Sequence, residues 1–302
     1  DKGATSGVTR HPAGGPLRCE TGERVGGGDG MYNVRETCTN RFLYNESQFG
    51  PIGRLDLWTG ERKGIRYDDD DMRYNWNAPI LVSPHDCDVI FHAGNRLMRS
   101  EFRGESWEVI SPDLSKNDPA TQTTGKGGDG NIQYGTISTI DESPLKAGVI
   151  WVGTDDGNVQ LTQDGGETWT LLNDNIPNNP EYWVSRVEAS HHDLGTAYVT
   201  YTGYRNDDFR PFVYKTTDYG ETWTSITANL PNGPVNVIRE HHMNPDLLFV
   251  GTEFQVWVSN DGGGRWTSLK LDMTDDPLLR EDEFRILSGA AQTDVTSGYA
   301  AA

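Results

Sequence analysis

Basic side chains and long apolar runs are what this sequence has least of. Lys and Arg together number 26 against 45 Asp and Glu, a formal net charge of −19 over 302 residues. A surface so acidic repels phosphate backbones, which sets nucleic acid aside as a partner. Hydrophobic residues make up only 34% of the chain. No stretch approaches the ~20 consecutive apolar residues that a membrane helix needs, so no membrane span is expected. Cysteine is sparse and odd in number: Cys19, Cys38 and Cys87. A Cys19–Cys38 disulfide and isolated thiols fit that count equally well. There is no charged-then-apolar leader, and the first residue is Asp1 rather than Met. The chain therefore reads as a mature or trimmed product, or as a piece of something longer. A Gly-rich phosphate loop, a nucleophile elbow and a Cys-x-x-Cys pair are all missing, so no cofactor is expected.

Glycine, at 35 residues, and tryptophan, at 9, are abundant. That mix suits many short strands joined by tight turns, with aromatic rings filling a modest core. The stretch "TQDGGETWT" (162–170) returns as "TTDYGETWT" (216–224) and "SNDGGGRWT" (259–267), with a looser copy, "SEFRGESW", at 100–107. Aligned on Trp107, Trp169, Trp223 and Trp266, the copies are 62, 54 and 43 residues apart. Seven residues beyond each stands an aliphatic residue or Met: Leu114, Ile176, Leu230 and Met273. Ahead of each turn lie apolar runs at 78–86, 136–144, 183–191 and 235–243, then at 88–94, 148–154, 196–202 and 246–252. A third short run leads into the turn at 158–162, 212–216 and 255–259. Four strands per unit, repeating every ~40–60 residues, is the pattern of a β-propeller blade. The expected fold class is therefore all-β, a propeller of four-stranded blades. An older-looking unit precedes these, giving five visible blades at about 26–67, 74–118, 132–180, 183–233 and 234–273. Residues 1–25 form an N-terminal edge segment, and 274–302 a non-repeat tail whose small polar composition predicts flexibility.

In the repeated turn, Asp164, Asp218 and Asp261 are placed to accept backbone N–H groups, as Asp does in Asx-turns. The glycines allow the positive φ of a tight hairpin, and Trp169, Trp223 and Trp266 bury rings at the blade edge. The turn is structural and clips its blade shut.

The pattern Ser/Thr-x-Asp-x-Gly-x-x-Trp resembles the Asp-box, or BNR repeat, of sialidases, other glycoside hydrolases, sortilin-type receptors and photosystem II assembly-factor-like propellers. The looser copy places Phe102 at the Asp position. "GRLDLWTGERK", "NWNAPILVSPHD", "WVGTDDGNVQ", "DDFRPFVYKTTDYGETWTSI" and "NPDLLFVGTEF" are similar to large bacterial secreted proteins of the sortilin-like or "glycosyl hydrolase, BNR repeat" kind. The resemblance runs over about 26–273 and implies a periplasmic or extracellular propeller. It implies docking onto other proteins, including a membrane-associated complex from its outer side. Its alternative implication is a glycoside hydrolase or sialidase-like enzyme acting on an extracellular polysaccharide.

Propeller topology puts the loops from second to third strand, and from outer strand to the next blade, on one face; ligands meet that face. It should collect Asn75, Trp76, Asn77, Asn95, Tyr134, Tyr182, Trp183, Tyr204, Arg210 and Glu253. Rings stack on sugar faces while amides and carboxylates bond hydroxyls, so this rim suits a glycan as well as a protein. Asp155, Asp156, Asp207, Asp208 and Glu253 are the weak candidates for acid/base work, which needs two carboxyls ~5–10 Å apart. For each one, a turn cap facing water is the plainer role. A sialidase site needs three convergent arginines. Arg186 and Arg239 lie on inner runs without a third, and are expected to pair with acidic neighbours such as Glu188 and Glu240, or with adjacent blades. The acidic "YDDDDM" (67–72) lacks spaced calcium ligands and reads as a solvated loop. His191–His192 and His241–His242 hold equivalent places in consecutive units and are expected to lie far apart, so no metal site is assigned.

Overall fold

The computed structural model describes residues 5–6, 23–27, 31–122 and 134–269. Cys19, Met273 and the tail from 274 lie outside the described residues. Five four-stranded antiparallel sheets follow one another along the chain, each meandering from an inner to an outer strand. Blade 1 comprises Asn33–Arg35, Phe42–Glu46, Ile52–Asp56 and Arg62–Gly64; blade 2, Ile80–Val82, Ile90–Ala93, Leu97–Ser100 and Glu108–Val109. Blade 3 comprises Ile137–Glu142, Ile150–Thr154, Val159–Thr162 and Thr170–Leu171; blade 4, Trp183–Ala189, Ala197–Gly203, Asp208–Thr216 and Thr224–Ser225. Blade 5 comprises Val235–His241, Asn244–Thr252, Val256–Ser259 and Thr267–Ser268. The fold is a β-propeller arrangement, as the repeat implies.

The second strands read as unbroken apolar runs because each is covered on both sides. In blade 3, Ile150 and Val152 pack toward blade 2 with Phe91 and Ile110. Their neighbour Trp151 packs toward blade 4 with Val199 and Trp223. Blade 4 repeats the alternation, with Val199 on the blade 3 side and Tyr198 packed on Leu248 and Val250 of blade 5. Contact between sheets is close enough to exclude a methyl group. A Cβ built on Gly153 falls 2.3 Å from Val184 of blade 4.

The repeated turn does more than close its own hairpin. Thr162 Oγ1 donates to Asp164 Oδ1 at 2.7 Å, and that carboxylate accepts Thr168 N at 2.9 Å. The same pattern holds at Thr216, Asp218 and Thr222 and at Ser259, Asp261 and Arg265. These bonds, with Thr168 first, hold the Asp164 carboxyl well below the usual carboxylate range. The glycine two residues beyond the Asp position of each turn (Phe102 in the looser copy) then abuts the preceding blade. At Gly104, Gly166, Gly220 and Gly263 φ is +83°, +106°, +83° and +96°, and a built Cβ meets Ile65, Ile110, Leu172 and Ile226 within 2.9 Å. Three tryptophans reach the same places: Trp107, Trp169 and Trp266 donate Nε1–H to the carbonyls of Ile65, Ile110 and Ile226 at 2.6, 3.0 and 2.8 Å. Trp223 is the exception and donates to Gly220 within its own turn. Trp266 and Trp223 are buried, while Trp169 is half-buried.

The loops joining inner to second strands add further ties on this face, the turn face. Ser83 Oγ donates to Glu142 Oε2 at 2.6 Å, and His85 Nε2 lies 2.8 Å from the Ser143 carbonyl. Two blades on, Ser190 Oγ donates to Glu240 and His192 Nε2 lies 2.9 Å from the His241 carbonyl. The histidine pairs of consecutive blades therefore meet, contrary to the expectation that they lie far apart. Equivalent loops of adjacent blades are neighbours, and only those of non-adjacent blades are distant. The same geometry corrects the disulfide: Cys38 bonds Cys87, not Cys19, with Cα atoms 6.2 Å apart. The two cysteines occupy corresponding loops of blades 1 and 2, a proximity that sequence separation hides.

Two consequences can be measured in denaturant titrations. Gly166→Ala is expected to lose about 1–3 kcal/mol, since both φ and the Ile110 carbonyl oppose a methyl group, whereas Gly64→Ala, with open space around it, stays near wild type. Cys87→Ser is expected to cost about 2–4 kcal/mol by freeing a long loop in the unfolded chain, an effect that reductant reproduces in the wild type and not in the variant.

Candidate functional site

The opposite face, the loop face, gathers segments that begin inner strands and end second strands. At its centre is Asp155, 4% exposed. Its Oδ1 accepts the N–H groups of Gly135 and Thr136, both at 2.9 Å; its Oδ2 accepts Thr136 Oγ1 at 2.5 Å and Asn75 Nδ2 at 3.0 Å. Burial lifts its pKa from 3.8 to about 7, against the pull of these donors. Asp155 thus ties the approach to blade 2 to the start of blade 3. Asp156 accepts Lys116 N at 2.8 Å and Thr154 Oγ1 at 2.6 Å, and burial raises its pKa as well. Asn75 and Asn95 are both 1% exposed, so they support the face from beneath rather than forming its surface. Asn95 accepts Arg73 N and donates to Asp113, which also ion-pairs with Arg73 at 2.6 Å. Beside them lies a cavity of about 490 Å³ lined by Asp71, Arg73, Arg96, Asp113 and Asn117.

Trp76 is half-buried, its ring edge-on to Phe49 at 5.0 Å, and Asn77 is half-buried beside it. Next to this segment is an acid missing from the sequence-based candidates. Glu46, 1% exposed, accepts Ala78 N at 3.2 Å and Gly50 N at 3.3 Å. Burial pushes it up to about 9, so it carries its proton at neutral pH. Its signal in the sequence is a Glu ending an apolar strand, "FLYNE", where an exposed loop carboxylate is equally common.

The rim between blades 3 and 4 is aromatic. Tyr134 and Trp183 stand edge to face at 6.3 Å, and the Arg205 guanidinium lies 4.3 Å from the Trp183 ring and 4.4 Å from that of Tyr204. Tyr182 packs on Phe212 and donates its hydroxyl to Asp208 at 3.2 Å. The ion pair with Arg210 holds the Asp208 carboxyl down at about 2. Asp207 and Glu253 are exposed. Tyr204, Phe209 and Phe254 are exposed large rings, at 42%, 52% and 78%. Gly233 N donates to the Phe209 carbonyl at 2.7 Å, setting this loop against the start of blade 5. Phe209 and Phe254 stand beside Arg210 and Glu253, which the sequence pattern singles out, but are not themselves among the sequence-based candidates.

Arg239 ion-pairs with Glu188 of the preceding blade. Glu240 is held instead by Ser190 and by the Tyr198 hydroxyl at 2.9 Å. Asp68, Asp70 and Asp71 point into solvent. Among the described residues the one group of side chains spaced like metal ligands is Glu36, Cys38 and Cys87, whose sulfurs are joined to each other.

No protein-family model matches the chain. An oligoxyloglucan-reducing end-specific xyloglucanase of Emericella nidulans is 26% identical over 164 residues, which is 52% of this chain and 18% of that protein. Among solved structures, the GH74 xyloglucanase of Xanthomonas campestris superposes with a TM-score of 0.60 at 19% identity, covering 80% of this chain and 38% of its own. YCF48 of Cyanidioschyzon merolae superposes with a TM-score of 0.51 at 12% identity, covering 80% and 70%. At these identities the structural likenesses establish the propeller fold alone. The chain spans well under half the length of the xyloglucanases it matches.

The raised pKa of Asp155 has a defined sign in stability. Between about pH 4 and 7 the folded chain keeps a proton that the unfolded chain releases, so stability falls as pH rises through that window. Asp155→Asn is expected to be less stable overall and to flatten this part of the melting-temperature profile; an unchanged slope would assign the titration to another group.

Proposed function

We propose that the chain is an exported, non-catalytic propeller that binds other proteins through its loop face, as a complex-assembly module that includes membrane-associated complexes at their outer side among its partners. The observation that carries this reading is the state of the carboxylates. Asp155 and Asp156 are committed to holding loops together, Asp208 is held ionised by Arg210, and Asp207 and Glu253 stand in solvent. A glycosidase needs one carboxyl kept protonated and another facing it across an open groove. The Cys38–Cys87 bond supports a periplasmic or extracellular location, since structural disulfides persist in oxidising compartments. The contact surface in this reading is the group of Trp183, Arg205, Tyr204 and Phe209, with Tyr134, Tyr182 and Arg210 behind it. Aromatic rings and arginine are the residue types that dominate protein contacts.

The likeness to xyloglucanases favours a second reading, hydrolysis of an extracellular polysaccharide. Its acids would be Glu46 and Asp155, which flank the Asn75–Ala78 segment and both have raised pKa values.

One preparation separates the two. Incubated with xyloglucan, the purified chain is expected to release no reducing ends. Release that disappears in both Glu46→Gln and Asp155→Asn would replace the first reading with the second. Proteins retained from an envelope extract of the source are expected to be lost about tenfold or more with Trp183→Ala or Arg205→Ala, and retention unaffected by both variants would remove the loop face from the binding role.

A further inference from the structure

On the turn face, the junction of blades 4 and 5 brings four imidazoles together. His191 and His192 follow the inner strand of blade 4; His241 ends that of blade 5, and His242 follows it. Their hydrogen bonds fix where the protons are. His241 pairs with Asn244 across a tight hairpin, and Met243 N donates to His241 Nδ1 at 3.2 Å. An N–H donates only to a lone pair, so Nδ1 is bare and the neutral ring carries its proton on Nε2. The backbone carbonyl of the same residue accepts His192 Nε2–H of blade 4 at 2.9 Å. One residue thus closes the turn of its own blade and anchors the loop of the preceding one. Its ring also stacks on that of His242, with centroids 4.7 Å apart and planes 25° from parallel.

The acids of this junction are committed elsewhere. Glu240 accepts Ser190 Oγ, His191 N and the Tyr198 hydroxyl, and the imidazole it faces is that of His191, 3.8 Å away. Glu188 pairs with Arg239. Asp193 Oδ1 accepts Gly195 N at 3.1 Å and Thr196 Oγ1 at 3.0 Å within its own loop. Asp246 leans toward Gly262 in the repeated turn of blade 5. Of the cations, Arg239 is held by Glu188, and Lys215 lies over the Tyr198 ring. Among the described residues no carboxylate ion-pairs with His192, His241 or His242. Burial first, and then the imidazoles of His242 and His192, hold His241 below the usual histidine value. Burial does the same at His191 against the pull of Glu240, and its buried Nδ1 has no hydrogen-bond partner.

From this arrangement we infer that the His241–Asn244 turn is an acid-released latch, which protonation of His241 opens, freeing the blade 4 loop from blade 5. The incoming proton takes the Nδ1 lone pair. The Met243 N–H then faces a second N–H, and the bond that closes the turn is lost. The new cation lies against His242 and beside His192 with no carboxylate paired to it. As the turn opens, the carbonyl that His192 uses moves with it. The open form binds the proton near the ordinary histidine value of about 6.5 and the closed form binds it only at lower pH. Closure is therefore complete above that value and is lost as pH falls below it. This is opposite in sign to the contribution of Asp155 and lies on the other face.

The test is hydrogen exchange of the whole chain at about pH 7.5 and about pH 5, corrected for intrinsic rates and read by mass spectrometry over residues 240–248. In the wild type, protection of this segment is expected to fall about threefold to tenfold on acidification, the worth of one hydrogen bond. His241→Asn sets an amide oxygen where Nδ1 stands and does not titrate, so protection is expected to hold at both pH values. His241→Gln carries its oxygen one bond further out and is expected to be loose at both. Imidazole ¹⁵N spectra of the wild type are expected to show Nδ1 of His241 unprotonated at neutral pH. Protection that ignores pH in the wild type overturns the inference, and so does a neutral ring protonated on Nδ1. Acid release that survives in His241→Asn also overturns it, assigning the release to His191, His192 or His242. Should His241→Asn be loose at both pH values, the wild-type Met243 amide decides. Its NMR shift must titrate with the His241 ring, and a different midpoint overturns the inference.

Discussion

The structure depends on how closely one sheet approaches the next, and that distance is set at the repeated turn. A glycine at positive φ lets the turn backbone touch an Ile or Leu just beyond the preceding blade's outer strand. In three of four cases the tryptophan that ends the turn donates its N–H to the carbonyl of that same neighbour residue. Sterics fix the distance and the hydrogen bond fixes the height. With both set there, the apolar rows of adjacent blades pack against each other, and the inner strands fall into the positions that create a loop face. A turn that only closed its own hairpin would leave the angle between sheets undetermined.

Much of this was legible in the sequence, because period and turn chemistry are local properties. The constant step from tryptophan to an aliphatic residue, and the paired apolar runs ahead of each turn, identify four-stranded units without reference to anything distant. What escaped reading is the relation between units. Cys87 is 49 residues from Cys38, yet the two bond because their loops hold the same place in adjacent blades. His192 and His241 meet for the same reason. A periodic sequence tells which residues are equivalent, but adjacency of equivalents also needs the radius and pitch of the arrangement.

The loop face was legible in outline and misjudged in depth. Tyr204 and Arg210 are exposed and Trp183 is half-buried, whereas Asn75, Asn95 and Asp155 are buried beneath the loops they fasten. A polar residue in a loop gives no local sign of whether it meets water or a neighbouring backbone, and Asp155 meets four donors. Glu46 was passed over because its burial comes from blade 2, beyond any local window.

The serine and histidine ties on the turn face carry a last consequence. They join blade 2 to 3 and blade 4 to 5 through Ser83, His85, Ser190 and His192, while blade 3 meets blade 4 differently, with Asp141 accepting Ala189 N at 2.7 Å. The junctions therefore differ in kind: a covalent bond between blades 1 and 2, hydroxyl and imidazole ties at two others, and between blades 3 and 4 a broad apolar cluster with the Asp141 bond at its edge. Opening should begin at different junctions in different solvents, reductant freeing blade 1 from blade 2 without touching the others.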